Sequence, residues 1–127
     1  MGKETIQTDN APPAAGAYSQ ATTNGELVFT AGQVALTPDE DSLSEEPVEV
    51  QTAQALENLE AVLEAAESSL DDVLKTTVFL ADIDDFEAMN EVYAEHFGSE
   101  PPARSAVQAG ALPLGMAVEI EAVATRS

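Results

Sequence analysis

One arginine and two glutamates are the residues of this chain whose types and positions are best suited to binding or acid–base chemistry. Arg104 lies in mid-chain, in a sequence with 24 acidic and only 4 basic side chains. A guanidinium holds a carboxylate through two parallel hydrogen bonds, so Arg104 is a candidate for binding a small carboxylic acid. A structural ion pair with one of the many acids is the alternative, and both interpretations stay open on charge alone.

Glu119 and Glu121 are separated by one residue near the end of the sequence. On a β-strand, side chains two residues apart point the same way and lie within about 7 Å of each other. At that distance each carboxylate disfavours the ionised form of the other, unless water or a cation lies close to them. Either both glutamates lie on a solvated face, or one of them lines a pocket shared with Arg104 and acts there as a base or a water ligand.

The residue types that are absent or rare exclude several classes of catalytic and metal-binding site. The sequence has no cysteine and one histidine, His96, which excludes disulfides, thiolate nucleophiles and Cys- or His-rich metal sites. We expect His96 to cap or satisfy the end of a helix. No glycine-rich phosphate-binding motif is present. Arginine, carboxylates, hydroxyls such as that of Tyr18 and backbone amides can bind a carboxylate and position a water, so an enzyme built from them needs a substrate that is already reactive.

The net charge of −20 disfavours phosphate-rich partners. A field of that sign repels nucleic acids and anionic membrane surfaces. The acids are dispersed from Glu4 to Glu121, with few lysines between them. This pattern indicates adaptation to molar salt, where charges are screened over a few ångströms. A surface for a basic partner is the alternative.

Length and hydropathy predict a single domain spanning residues 1–127. Hydrophobic residues make up 44% of the chain, which is enough for an ordinary core. No segment is as long and apolar as a membrane span, and the N-terminal residues lack the apolar centre of a signal peptide. We therefore expect a small soluble protein of the cytoplasm.

Apolar spacing predicts two amphipathic helices, over about residues 51–67 and 84–98. Runs rich in β-branched and aromatic residues predict strands between and around them, at residues 27–34, 73–81, 105–108 and 116–124. The acid-rich stretch from Thr37 to Val48 is predicted to be a surface loop. The result is an alternating chain whose helices pack against a sheet.

Eight short motifs, in register from about Asn10 to Ala124, resemble the RidA or YjgF-like family of reactive-intermediate deaminases. They are Gly16-Ala17-Tyr18-Ser19-Gln20-Ala21, Ala31-Gly32-Gln33, Gln54-x-x-x-Asn58-Leu59, Lys75-Thr76-Thr77-Val78-Phe79-Leu80, Asn90-x-x-Tyr93, Pro102-Ala103-Arg104-Ser105, Leu112-Pro113 and Glu119-Ile120-Glu121-Ala122-x-Ala124.

The resemblance implies an α+β, chorismate-mutase-like fold: a single mixed β-sheet with two helices packed on one face. It implies a homotrimer whose sheets form a barrel-like core, with active sites in the clefts between subunits. The implied activity is that of a 2-iminobutanoate/2-iminopropanoate deaminase. Such an enzyme hydrolyses enamines and imines released by pyridoxal-phosphate dehydratases to a 2-oxo acid and ammonia, and needs no cofactor or metal.

The same resemblance assigns roles to individual residues. Arg104 would bind the substrate carboxylate, and Glu119 would orient the attacking water. Tyr18 would line the cleft. The remaining substrate-binding positions would be Ala31, Gly32 and the backbone of Ala106.

Three positions depart from the family pattern. Ala17 replaces a usual proline, and Ala31 stands where many members carry a serine whose hydroxyl could meet the substrate. Glu67 stands where a glycine often ends the first helix. Two further functions stay open: a non-catalytic trimer that binds small carboxylates in a regulatory or chaperone-like role, and an acidic interaction module.

Overall fold

The secondary structure follows the predicted alternation of strands and helices. A computed structural model describes residues 2–127. Its two helices are α1 (Val48–Ala65) and α2 (Phe86–Phe97). Its six strands are β1 (Glu4–Ile6), β2 (Ala21–Thr23), β3 (Leu27–Thr30), β4 (Val73–Leu80), β5 (Ala103–Gln108) and β6 (Val118–Thr125).

The strands form one mixed sheet in the order β1-β2-β3-β6-β4-β5. Only the β4–β5 pair is parallel, and α2 is the crossover between these two strands. The other pairs are antiparallel. Strand β5 is at one edge of the sheet, so one side of its backbone has no neighbouring strand. The expected mixed sheet with two helices is confirmed.

Both helices cover the same face of the sheet. Helix α1 buries a stripe that includes Leu56, Leu59 and Leu63, and α2 buries Met89, Tyr93 and Phe97. These side chains join alternate residues of β4 and β6 in one hydrophobic core. The alternation places the intervening residues of those strands on the opposite face, which carries no helix.

The end of α1 is fixed by the C-terminal residues. Helix α1 ends at Ala65, and Glu67 follows in the left-handed conformation with φ of 65°. The Arg126 side chain donates hydrogen bonds to the Ala66 carbonyl and to the Glu67 carboxylate. Glu67 therefore takes the backbone conformation that a glycine adopts at little cost. Arg126 and Glu67 form an ion pair here.

Two features of the N-terminal half differ from the sequence prediction. Strands β1 and β2 are three residues each, too short for a period-two pattern to be recognised. The predicted strand at 27–34 ends at Thr30, and beyond it Gln33 forms an isolated bridge to Ile120. The chain therefore leaves β3 at Ala31 and Gly32, and returns to the sheet beside β6.

The helix-free face of the sheet and its margins expose large apolar side chains. Phe29 is 49% exposed and Val107 is 45% exposed. Both alternate with core residues along their strands. Neither described helix is long and apolar enough to cross a membrane.

Candidate active site

Glu119 lines a cavity of about 350 Å³ at the helix-free face of the sheet, which we call the Glu119 cleft. Its walls come from the N-terminal segment, the Gly32 turn and the turn before β6. The other lining residues are Pro12, Pro13, Ala15, Tyr18, Gln20, Gly32, Gln33, Val34, Leu36, Glu40, Pro113 and Leu114.

Gly32 and Glu119 are in close contact within this cleft. A Cβ added to Gly32 would lie within 2.8 Å of the Glu119 Cδ, and closer still to its Oε2. No real Cβ tolerates such a distance, so glycine is the residue that lets the carboxylate lie against the backbone. The glycine of the Ala31-Gly32-Gln33 motif thus leaves room for the Glu119 carboxylate at this position.

The environment of Glu119 disfavours its charged form. Partial burial raises the pKa of this carboxyl group, and the neighbouring Glu121 carboxylate raises the pKa further. Glu121 is exposed on the same face of β6. A carboxylate with a raised pKa is a stronger base, which suits a group that accepts a proton from water.

The mouth of the Glu119 cleft carries two exposed apolar side chains, Tyr18 and Leu114. Gln20 holds the segment before Tyr18: its Nε2 donates to the Thr8 and Pro12 carbonyls, and its Oε1 accepts from the Thr8 amide. Leu114 has φ of 60°, a conformation that costs a branched residue about 1–2 kcal/mol. The apolar side chain of this residue lines the opening of the cleft.

Arg104 lines a second cavity, of about 370 Å³, between the β5 edge and α2. We call it the Arg104 cleft. Its other lining residues are Asn90, Tyr93, Ala94, Gly98, Pro101 and Pro102. The double proline after α2 brings the chain from the end of the helix into β5.

The guanidinium of Arg104 is held by three neutral groups. Its Nη1 donates to the Asn90 Oδ1 at 2.6 Å. Its Cζ lies 4.7 Å from the ring centroid of Tyr93 and 5.3 Å from that of Phe86. Within residues 2–127 the single ion pair joins Arg126 to Glu67, so no carboxylate neutralises Arg104. The ion pair that was the alternative for Arg104 is therefore not formed within residues 2–127.

Arg104 and Glu119 lie on opposite faces of the sheet. Arg104 pairs with Thr76 of β4, and the Thr76 hydroxyl bonds Tyr93 of α2 on the helix-covered face. Glu119 pairs with Phe79, three residues further along β4, and so points to the other face. Within one chain the two residues line different cavities.

The other predicted site residues lie near one of the two clefts. Ala106 is two residues beyond Arg104 on β5, with its side chain packed against the core. Ala31 donates its amide to the Gln20 carbonyl at 2.9 Å but does not line the Glu119 cleft. His96 bonds the Val92 carbonyl through Nδ1 in the last turn of α2, in agreement with the structural role expected of it.

Sequence reasoning left Asn90 and Tyr93 out of the site. Both were visible as the motif Asn90-x-x-Tyr93, whose spacing places them on one face of α2. What the motif did not show is that this face meets the guanidinium of Arg104 across the β5 edge.

Known proteins share this fold and sequence. A RutC family protein of Pyrococcus horikoshii is 50% identical over 96% of this chain and 97% of its own length. The human 2-iminobutanoate/2-iminopropanoate deaminase is 43% identical over 96% of this chain and 89% of its own length. The crystal structure of RidA from an Antarctic Psychrobacter superposes with a TM-score of 0.92 and 44% identity, covering 96% of this chain and 98% of that one.

The family described as Endoribonuclease L-PSP matches residues 8–126, which is nearly the whole chain. The expected RidA or YjgF-like relationship rests on motifs from both clefts, and the family match includes both clefts. On this evidence the chain belongs to the Endoribonuclease L-PSP family, the family of the RidA and YjgF proteins.

Proposed function

We propose that this protein hydrolyses 2-iminobutanoate and 2-iminopropanoate, or their enamine forms, to the 2-oxo acid and ammonia. The observation that carries the proposal is the unneutralised guanidinium of Arg104, which stands in a cleft with neutral partners only. Such a group has two-point affinity for a carboxylate. The relatives named as deaminases support the reaction class.

The chemistry asks little of the protein beyond positioning. An imine carbon is already electrophilic, and a fixed orientation of substrate and water removes much of the remaining barrier. Arg104 would hold the carboxylate end of the substrate. With the imine nitrogen protonated, Glu119 would accept a proton as the oxygen of water bonds to the imine carbon and the carbon–nitrogen double bond becomes a single bond. Glu119 would return that proton to the nitrogen as the carbon–nitrogen bond breaks and ammonia leaves, while the hydroxyl proton passes to solvent and the 2-oxo group forms. The reaction needs no cofactor or metal.

The reaction requires both clefts, so we propose that they meet between subunits of a homotrimer. The Arg104 cleft opens beside the free edge of β5, and the Glu119 cleft is bordered by exposed Tyr18 and Leu114. The exposed Phe29 and Val107 of the helix-free face would pack in the barrel-like core. Each active site would then combine Arg104 of one chain with Glu119 of its neighbour.

The family description names an endoribonuclease, but we propose that this chain does not act on RNA. Its net charge of −20 opposes the approach of a polyphosphate backbone in dilute buffer, and its four basic side chains offer few phosphate contacts at any salt concentration. A small anion instead needs only the half-buried guanidinium of Arg104 at short range.

The test is imine hydrolysis in molar KCl. A threonine or serine dehydratase generates the imine, and semicarbazide traps what survives. We expect wild-type protein to reduce the trapped product and Arg104→Ala to have no effect on it. If folded wild-type protein binds 2-oxobutanoate but does not accelerate imine loss, the non-catalytic carboxylate-binding function replaces the deaminase.

A further inference from the structure

The side chain of Asn90 accepts a hydrogen bond from the guanidinium of Arg104 and carries no charge. We propose that Asn90 is a positioning residue: it holds the guanidinium without neutralising it, and so keeps the full charge of Arg104 for the carboxylate of the substrate. The inference rests on the carboxylate-binding role of Arg104 given above.

The guanidinium of Arg104 makes one hydrogen bond and packs against two aromatic rings. The Asn90 Oδ1 accepts a hydrogen bond of 2.6 Å and fixes the direction of Nη1. The rings of Tyr93 and Phe86, at 4.7 Å and 5.3 Å from Cζ, attract the cation through their π faces. None of the three carries a formal charge at neutral pH.

The ring of Tyr93 is itself held in place. Its Oη shares a hydrogen bond of 2.6 Å with the Thr76 Oγ1, and both residues are buried. Burial raises the pKa of the Tyr93 hydroxyl, which keeps the ring neutral. The guanidinium therefore packs against a fixed surface.

A neutral partner at this position is unusual given its surroundings. Helix α2 carries Glu87, Glu91 and Glu95, which are all exposed, and none of them pairs with Arg104. An aspartate at position 90 has the same shape as asparagine and the same acceptor oxygen. It would bond the guanidinium more strongly, because both partners would be charged. A carboxylate ligand would then have to compete with a carboxylate that is already in place.

Two substitutions of Asn90 have opposite expected rankings under a purely structural role and under a role that depends on its neutrality. If Asn90 only accepted a hydrogen bond, Asn90→Asp would be harmless and Asn90→Ala would be damaging. If its neutrality matters, Asn90→Asp is the more damaging of the two for carboxylate binding. We expect Asn90→Asp to weaken binding of 2-oxobutanoate at least about tenfold, and Asn90→Ala about threefold.

Isothermal titration of the full-length protein with 2-oxobutanoate in molar KCl measures these affinities. Asn24→Asp is the matched control, since Asn24 is exposed, and its side-chain oxygen accepts from the amides of Glu26 and Leu27. It adds the same charge away from both clefts and should bind as wild type does. Phe86→Leu removes one aromatic face and should weaken binding about two- to fivefold.

The outcomes distinguish this inference from the proposed reaction. Wild-type affinity in Asn90→Asp, with imine hydrolysis intact in the wild type, would overturn the inference and leave the deaminase standing. A loss in Asn90→Asp that exceeds the loss in Asn90→Ala supports it, even if the wild type binds without turnover. A larger loss in Asn90→Ala would show that the hydrogen bond alone is what matters. Thermal unfolding of each variant confirms that the comparison is between folded proteins.

Discussion

The Glu119 carboxylate packs directly on the Cα of Gly32, and no side chain fits between them. Gly32→Ala should therefore displace the carboxylate and reduce imine hydrolysis at least about 100-fold, the cost of moving a reacting group by about 1 Å. Gly110→Ala is the matched control, because a Cβ there meets no atom within 4 Å. Equal activity of the two variants would contradict the contact.

Mixed oligomers test whether Arg104 and Glu119 act from different subunits. Arg104→Ala and Glu119→Gln should each be inactive alone. After the two variants are unfolded and refolded together in equal amounts, about one quarter of the wild-type activity should return, because a quarter of the inter-subunit sites receive both intact residues. If both residues acted from one chain, no mixture of these variants would recover activity.

The pKa of Glu119 should respond to its neighbour on β6. Burial is the main cause of the raised pKa and the Glu121 carboxylate is the second. Removing that negative charge favours ionisation of Glu119, so Glu121→Gln should lower the Glu119 pKa and extend its ionised form to lower pH. Carbon-13 NMR titration of the glutamate carboxylates measures the change directly.

The control for this titration is Glu26→Gln, which removes an exposed charge at the far end of β3. It should leave the Glu119 titration where it is. An unchanged Glu119 pKa in Glu121→Gln would show that the two carboxylates are not electrostatically coupled.

The left-handed conformation of Glu67 predicts a stabilising substitution. Such a conformation costs a non-glycine residue about 1–2 kcal/mol, whereas an exposed ion pair contributes about 0–1 kcal/mol. Glu67→Gly loses the pair with Arg126 but relieves the strain, so the free energy of unfolding should rise by about 0.5–1 kcal/mol. Glu64→Gly, inside α1, should instead lower it by about 1 kcal/mol. Chemical denaturation of both variants distinguishes the signs.

The acidic composition predicts a strong dependence of stability on salt. With 24 acids and 4 bases, self-repulsion opposes the folded state in dilute buffer. Molar KCl should raise the midpoint of thermal unfolding by at least about 10 °C, or roughly 2–3 kcal/mol. Full native stability in dilute buffer would contradict adaptation to high salt.

The secondary-structure elements that could be predicted from the sequence are those long enough to show a periodic pattern of apolar residues. Helices α1 and α2 were recognised because their apolar residues follow a 3.6-residue period over 18 and 12 residues. Strands β1 and β2 were not predicted, because three residues are too few to show a periodic pattern. The end of α1 was also uncertain from sequence, because the left-handed position there is held by Glu67, whose partner Arg126 is 59 residues away.

The sequence allowed the residues of the candidate site to be predicted, but not their positions relative to one another in the sheet. Arg104 and Glu119 were identified by type and by family resemblance. Their separation onto opposite faces depends on how β4 aligns with its two neighbours, since Thr76 and Phe79 differ by an odd number of positions. The role of Asn90 depends on how α2 lies over β5, which no local pattern records.

The dispersed negative charge also controls how a substrate reaches the protein. A 2-imino acid is an anion, so at low ionic strength the coat would slow its diffusional encounter with either cleft. In molar salt the screening length falls to about 3 Å, and the repulsion ends almost at the surface. The attraction between Arg104 and a carboxylate acts over the same short range. In molar salt it would no longer be outweighed by the long-range repulsion from the acidic side chains. Screening by the solvent ions would therefore let a 2-imino acid approach the protein, and the guanidinium of Arg104 would bind its carboxylate.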